Sequence, residues 1–152
     1  MEGPVSYIGI DPGLSGGIAV IGDDGIANAI PMPTTDRDIL TALLKQDMSR
    51  FAMLERVHSM PGQGVASTFK FGQNFGALRM ALIAAGTPFE TVLPQAWQRE
   101  FGLVFPKKRG LTGTQKKNLH KARAQELFPT LTITHATADA LLIAEYCRRI
   151  RD

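Results

Sequence analysis

The spacing of hydrophobic residues at the start of the chain predicts three β-strands. Residues 5–10 and 17–22 are apolar and rich in β-branched side chains, and a third run, residues 26–30, follows the turn Asp23-Asp24-Gly25. Strands that are joined by such short connections pair in antiparallel order. We therefore predict that the chain opens with an antiparallel meander.

The pattern then becomes helical before it returns to a strand. In residues 36–48 the apolar side chains recur every three or four positions, and Asp36 and Asp38 lie where a helix N-terminus favours negative charge. The short apolar run at residues 51–54 predicts a buried strand that ends at Glu55.

The remainder of the chain continues this alternation. A loop over residues 58–64 precedes a helical pattern in residues 66–85, which only Gly72 and Gly76 interrupt. Residues 89–93 predict a fifth strand. Further helices are predicted at residues 94–101, 114–128 and 135–150, with a polar loop at residues 105–113.

This order of elements predicts a single α/β domain over residues 1–152. A meander followed by strands that alternate with helices favours a mixed five-stranded sheet, because the crossover connections place helices on both of its faces. A chain of 152 residues with 44% hydrophobic content is large enough to bury one core.

Positive charge is concentrated in the last part of the chain. Residues 97–152 contain 11 lysines and arginines and 5 acidic residues, whereas residues 1–96 contain 6 and 9. A basic surface suits a polyanion such as nucleic acid, although a need for solubility explains the same charge.

Neither secretion nor membrane insertion is indicated. The N-terminus lacks the basic and hydrophobic pattern of a signal peptide, and no apolar run reaches the roughly 18 residues of a membrane span. Cys147 is the only cysteine, so no internal disulfide forms, and its neighbours predict a buried, inert thiol. We expect an intracellular protein.

Two acidic residues are predicted at strand ends. Asp11 ends the first strand at the sharp turn Pro12-Gly13, and Glu55 follows the buried run at residues 51–54. A carboxylate at the end of such a strand needs a partner. The alternative for Asp11 is an aspartate that only shapes the turn. The alternative for Glu55 is a glutamate at the protein surface beside Arg56.

A third acidic residue lies in the last predicted helix. His135 and Asp139 are four positions apart and therefore share one helix face. Ala136, Ala138 and Ala140 would let this helix lie close to the sheet. Such a pair holds a divalent ion in some proteins and forms a local contact within the helix in others.

A metal centre is predicted if Asp11 and Glu55 converge with the pair His135 and Asp139. Carboxylates that are held close together repel one another unless cations bind between them. Oxygen-rich sites suit Mg²⁺, with Mn²⁺ as a substitute, and two ions about 4 Å apart can activate water for phosphodiester hydrolysis.

These segments resemble, in order and spacing, the motifs of the RuvC family of Holliday-junction resolvases. The segments are residues 8–17 (IGIDPGLSGG), 54–57 (LERV) and 138–144 (ADALLIA). Residues 71–76 (FGQNFG) and 94–97 (PQAW) are similar to the bacteriophage and organelle branches of that family.

The resemblance implies a ribonuclease H-like fold and a crossover junction endodeoxyribonuclease. Such an enzyme acts in DNA recombination and repair, as a homodimer on four-way (Holliday) junctions, in a bacterial cytoplasm or an organelle. Asp11, Glu55 and Asp139 match the catalytic carboxylates of the family, and His135 matches a fourth ligand position. Bacterial members often carry an acid where this chain has Ala136, which leaves the number of ligands open.

Seven basic residues and no acid lie between positions 107 and 123, where they predict either phosphate contacts with DNA or a solvated surface. They are Lys107, Lys108, Arg109, Lys116, Lys117, Lys121 and Arg123. By resemblance, Lys117 matches a lysine near the scissile phosphate, where it would stabilise developing negative charge.

The loop after the fourth strand is a second candidate DNA contact. His58 occupies the position at which bacterial resolvases place an aromatic residue at the junction centre, and Met60 is a candidate wedge. The alternative is a loop that only links a strand to a helix.

Three other functions fit parts of the sequence. Residues 11–17 also resemble the phosphate loop of actin-like phosphotransferases, which need a second similar domain that 152 residues do not accommodate. A non-catalytic binder of branched DNA would need only the basic region. A nuclease that cuts flaps and forks as readily as four-way junctions would carry the same carboxylates.

Overall fold

The computed structural model of the chain describes residues 5–46, 49–56 and 62–151. The strands are β1 (Ser6–Asp11), β2 (Gly17–Gly22), β3 (Ala27–Pro31), β4 (Ser49–Glu55) and β5 (Phe89–Val92). They form one sheet in the order β3-β2-β1-β4-β5. The first three strands are antiparallel neighbours, while β4 runs parallel to β1 and β5 runs parallel to β4. The predicted meander and mixed five-stranded sheet are confirmed.

Helices cover both faces of this sheet, as predicted. They are α1 (Asp36–Leu44), α2 (Val65–Ala84), α3 (Pro94–Glu100), α4 (Gly113–Leu127) and α5 (His135–Arg151). On one face α1 and α2 pack over Ile8, Ile10 and Leu54. On the other face α5, with α3 and α4 beside it, packs over Tyr7 and Met53. The alternation of buried side chains along β1 therefore supplies both cores.

Helix α5 lies directly on the first two strands because small residues allow close approach. A Cβ atom added at Gly9 would fall 2.2 Å from the backbone nitrogen of Ala144, and one added at Gly17 would fall 2.4 Å from the carbonyl oxygen of Ala136. Side chains at these positions would push the helix off the sheet. The expected close packing of the alanine-rich helix is confirmed.

The register of the sheet places two acidic residues at one edge. Ile10 of β1 pairs with Leu54 of the parallel strand β4, so Asp11 and Glu55 are the next residues at the carboxyl ends of neighbouring strands. This edge of a sheet with parallel strands is a common location for active sites.

The structure differs from the predicted elements mainly at their ends. Helix α1 ends at Leu44, just after Leu43, its last buried residue, whereas the prediction extended to residue 48. Helix α2 continues through Gly72 and Gly76, because burial of residues further along it outweighs the cost of about 1 kcal/mol for each glycine. The predicted loop at residues 105–113 contains a short 3₁₀ turn, Lys107–Arg109.

Two expectations about the rest of the chain can also be compared with the structure. Cys147 is fully buried, and this burial raises the pKa of its thiol to about 12, which confirms an inert cysteine. No helix within the three described ranges is long and apolar enough to cross a membrane.

Candidate active site

Asp11 is held at the end of β1 by a tight turn. Gly13 has a φ of 103°, a backbone conformation that other residues rarely adopt. The backbone N–H of Gly13 donates to Asn74 Oδ1 of α2 at 2.7 Å, and Gly16 N donates back to the Gly13 carbonyl at 3.0 Å. Asn74 therefore anchors the turn that follows Asp11 to the neighbouring helix.

Glu55 is buried at the end of β4, with only 7% of its surface exposed. Trp97 of α3, which is fully buried, donates its indole N–H to Glu55 Oε2 at 2.6 Å. The neighbouring Arg56 is exposed. The alternative of a surface glutamate beside Arg56 is therefore wrong, because the side chain of Glu55 turns inward to an indole.

Asp139 of α5 has a histidine partner. His120 Nδ1 on α4 lies 2.8 Å from Asp139 Oδ1, and because an ionised carboxylate only accepts, Nδ1 carries the proton. The His120 ring also meets the Trp97 ring edge to face, with ring centres 5.4 Å apart and planes at 77°. A continuous series of side-chain contacts therefore links Glu55 through Trp97 and His120 to Asp139.

Burial and mutual repulsion raise the pKa values of two of these carboxyl groups. The pKa of Asp11 is raised well above its usual range, first by burial and then by the charges of Glu55 and Asp139, while Lys117 opposes the shift. Burial is also the main cause that raises the pKa of Glu55 to about 7. The Trp97 hydrogen bond lowers the pKa of Glu55, and the charge of Asp139 raises it. The three carboxyl groups are therefore close enough to interact electrostatically.

A cleft of about 640 Å³ opens over this cluster. Four of the predicted site residues line it, namely Asp11, Lys117, His135 and Asp139. Its opposite wall comes from the first half of α2, including Lys70 and Phe71. Glu55 lies behind the lining, buried against Trp97. The helix α2 wall was not predicted, since its residues are more than fifty positions from Asp139 and follow a loop.

His135 lies at the start of α5, exposed at the rim of the cleft. Its Nε2 is 2.9 Å from Asn118 Oδ1 on α4. An amide oxygen only accepts, so Nε2–H donates and a neutral ring keeps its lone pair on Nδ1. The alternative of a local His135–Asp139 contact is not observed, since Asp139 bonds to His120.

The donor chemistry of the cluster fits a divalent cation. The buried Glu55 and the half-buried Asp11, both with raised pKa values, lie near Asp139, and among the described residues none of the three has a lysine or arginine within salt-bridge distance. A hard divalent cation prefers such oxygen donors. In the described part of the chain no three acidic, histidine or cysteine side chains already adopt a metal-binding arrangement. Glu55 and Asp139 instead bond to Trp97 and His120.

The predicted DNA-binding residues on the 3₁₀ turn and α4, here called the basic strip, are exposed, except that Lys121 and Arg123 are half-buried. Arg109 stacks on Phe105, with its guanidinium 5.4 Å from the ring centre, and Arg123 pairs with Glu126 at 2.8 Å. The other members make no ion pair within residues 5–46, 49–56 and 62–151; they are Lys107, Lys108, Lys116 and Lys121. The predicted contacts at His58 and Met60 lie outside the described residues.

Sequence reasoning missed Trp97 and His120 as parts of the site. In the sequence, residues 94–97 carry only a family resemblance, and no motif singles out His120. One local signal was present, because His120 lies three positions after Lys117 on α4 and so shares its helix face.

The fold matches solved structures of a known protein, although no protein-family model and no curated protein matches the chain. RuvC of Thermus thermophilus in complex with Holliday junction substrate aligns with a TM-score of 0.64 and 16% identity, covering 97% of this chain and 96% of that one. A second structure of Thermus thermophilus RuvC aligns with a TM-score of 0.60 and 16% identity, covering 95% and 96%. The chain therefore has the ribonuclease H-like α/β fold of RuvC, as predicted.

Proposed function

We propose that this chain is a metal-dependent endonuclease that cuts branched DNA, chiefly four-way (Holliday) junctions. The observation that carries the proposal is the cluster of Asp11, Glu55 and Asp139, which come from β1, β4 and α5. They lie behind or along one cleft and interact electrostatically. Repulsion between clustered carboxylates destabilises a fold unless a bound ligand relieves it. Oxygen donors of this kind favour a divalent cation as that ligand.

The residues that would hold Mg²⁺, or Mn²⁺ in its place, are Asp11, Glu55, Asp139 and His135. His135 would bind through Nδ1, because its Nε2–H is directed to Asn118. A pair of bound ions would supply an activated water and neutralise charge on the scissile phosphodiester.

Lys117 has a separate role in this proposal. Its charge is close enough to lower the pKa of Asp11, and its side chain lines the cleft. A fixed cation at this position would orient the scissile phosphate and stabilise the negative charge that develops on it.

The basic strip would bind the DNA beside the cut. Lysines without an acidic partner are free to neutralise phosphates, which releases counterions. Lys116 and Lys121 lie on α4, the helix that also carries Lys117, and Lys107 and Lys108 lie on the 3₁₀ turn that precedes it. Arg109 and Arg123 belong to the same surface.

The choice of substrate and assembly rests on the structural match. A RuvC with this fold is described in complex with a Holliday junction substrate. We extend this substrate to the present chain, together with a homodimer, since two active sites would then face the two strands of a symmetric junction. Residues 1–152 would act as a single nuclease domain inside a bacterial cell or an organelle, in DNA recombination or repair.

Cleavage of synthetic DNA with and without Mg²⁺ tests this proposal. We expect the protein to cut a four-way junction faster than a three-way junction, a flap or a linear duplex, and to cut none of them in EDTA. Equal rates on flaps and four-way junctions would identify a broader branched-DNA nuclease. Binding without cleavage at any metal concentration would contradict the enzyme assignment and support a non-catalytic binder.

A further inference from the structure

We propose that Trp97 and His120 are a pair of positioning residues that orient Glu55 and Asp139 for metal binding. The inference rests on the proposed function and adds two residues to its site. Trp97 donates to Glu55 Oε2 at 2.6 Å, and His120 Nδ1 lies 2.8 Å from Asp139 Oδ1. The two rings touch edge to face, so the position of each depends on the other.

The chemistry of the donor to Glu55 supports a positioning role. A lysine or arginine at this place would fix the carboxylate and also neutralise it. The indole N–H of Trp97 fixes one oxygen but carries no charge, so the negative charge of Glu55 remains available to a cation. Trp97 thus lowers the pKa of Glu55 without removing the need for a positive ligand.

Each of these bonds engages one carboxylate oxygen only. Within the described residues, Glu55 Oε1 and Asp139 Oδ2 accept no hydrogen bond from any side chain or backbone group. The two oxygens that remain unbonded are the ones through which both carboxylates would bind metal. Outer residues of this kind orient metal ligands in proteins and are typically worth about 10–100-fold in metal affinity or activity.

Matched substitutions separate positioning from ordinary packing. Trp97→Phe keeps an aromatic ring in the core and removes only the N–H donor with part of the ring. His120→Phe keeps a ring against Trp97 and removes the bond to Asp139. His120→Asn is the rescue variant, because its side-chain N–H₂ can occupy the place of Nδ1. Leu103→Val is the packing control, since Leu103 is buried in the same core cluster.

Metal binding without DNA gives a readout that does not depend on catalysis. Trp97 is the only tryptophan of the chain, so its fluorescence reports on this site during a Mn²⁺ titration. In wild type we expect a saturable change, with a midpoint about tenfold higher in His120→Phe and within about threefold of wild type in His120→Asn. Calorimetry with Mn²⁺ replaces fluorescence for Trp97→Phe, for which we also expect a loss of about tenfold, while Leu103→Val lowers only the melting temperature.

The outcomes distinguish this inference from the proposed function. If Trp97→Phe and His120→Phe bind Mn²⁺ as wild type does, while Asp11→Asn does not, the pair is only part of the core and the metal centre stands. If Leu103→Val weakens Mn²⁺ binding as much as His120→Phe, loss of packing explains the effect and the positioning role is wrong. If wild type itself binds no Mn²⁺, both the inference and the proposed function are overturned.

Discussion

Glu55 and Glu145 are both buried glutamates, with exposed fractions of 7% and 5%, but their surroundings differ in charge. Glu145 on α5 accepts hydrogen bonds from Arg148 at 2.9 and 3.0 Å and from Arg149 at 3.1 Å. Glu55 accepts one bond, from the neutral indole of Trp97. A buried charge is stable when it is paired, so Glu145 has its partners within the chain. Glu55 has no cationic partner of this kind among the described residues, which supports the proposed cation site.

The basic residues of the C-terminal region also divide into those with acidic partners and those without. Near the end of α5, Arg149 also pairs with Glu100 at 3.1 Å, and Arg151 pairs with Glu90 and stacks on Phe51. The lysines of the basic strip on α4 and the 3₁₀ turn have no such partners in the described part of the chain. The arginines near the end of α5 are thus paired within the fold, whereas the unpaired lysines support the proposed role of the basic strip in binding DNA.

Removing the charge of each glutamate gives the largest expected contrast. We predict that Glu55→Gln lowers the single-turnover rate on a four-way junction by at least about a hundredfold, because it removes a metal ligand. Glu145→Gln should leave that rate within about threefold of wild type and lower the melting temperature, because it weakens two ion pairs. Comparable losses of cleavage rate in Glu55→Gln and Glu145→Gln would show that the two glutamates do not differ in their role in cleavage.

The pH dependence of the free energy of unfolding should give the next largest contrast between the two glutamates. Folding raises the pKa of Glu55 from 4.5 to about 7, so the folded state keeps this proton at pH values where the unfolded state has lost it. The free energy of unfolding of the metal-free protein should therefore fall as pH rises from about 4.5 to about 7, by up to about 3 kcal/mol from this group.

The Glu55→Gln variant provides the check on that prediction. Its free energy of unfolding, measured with denaturant in EDTA, should exceed that of wild type at pH 8, and the difference should shrink toward pH 4.5. The charge of Glu55 also helps to raise the pKa of Asp11, so its removal relieves part of that shift and increases the difference at high pH in the same direction. A difference that does not change with pH would show that Glu55 is not destabilised by its charge.

Lys117 should behave differently from the other lysines of α4. We predict that Lys117→Ala lowers the cleavage rate at saturating junction about tenfold and changes the dissociation constant little, because its cation acts on charge that develops in the reaction. Lys116→Ala, its exposed neighbour, is the matched control. A larger effect on affinity than on rate would instead assign Lys117 to DNA binding.

The smallest expected effects are on DNA affinity. The double variant Lys107→Ala and Lys108→Ala should weaken junction binding several-fold and reduce the slope of log affinity against log salt by about 1 to 2, because up to two phosphate contacts are lost. Arg149→Ala and Arg151→Ala should leave this slope unchanged and lower the melting temperature. Equal slopes for all variants would show that the unpaired lysines do not contact DNA.

The sequence predicts the sheet, the helices and the strand-end acids because each of these depends on local spacing. Asp11 and Glu55 both follow apolar runs, and the parallel pairing of β1 with β4 brings them to one edge. The two arginine partners of Glu145 are likewise visible in the sequence, since they lie three and four positions away on one helix.

The partners of Glu55 and Asp139 could not be predicted in this way. Trp97 is 42 positions from Glu55, and His120 is 19 positions from Asp139, so both contacts depend on how α3 and α4 pack beside α5. A hydrophobic pattern shows that Trp97 is buried but not which atom its N–H meets. The sequence therefore indicates where the carboxylates are, and only the tertiary structure shows that Trp97 and His120 hold them.

Anomalous diffraction from crystals soaked in Mn²⁺ tests most directly whether these carboxylates form a metal centre. The predicted result is one or two anomalous peaks within about 2.5 Å of oxygens of Asp11, Glu55 and Asp139, and no peak at Glu145, whose charge is already paired. An absence of peaks at the three carboxylates in Mn²⁺-soaked crystals, or peaks confined to surface acids, would contradict the account.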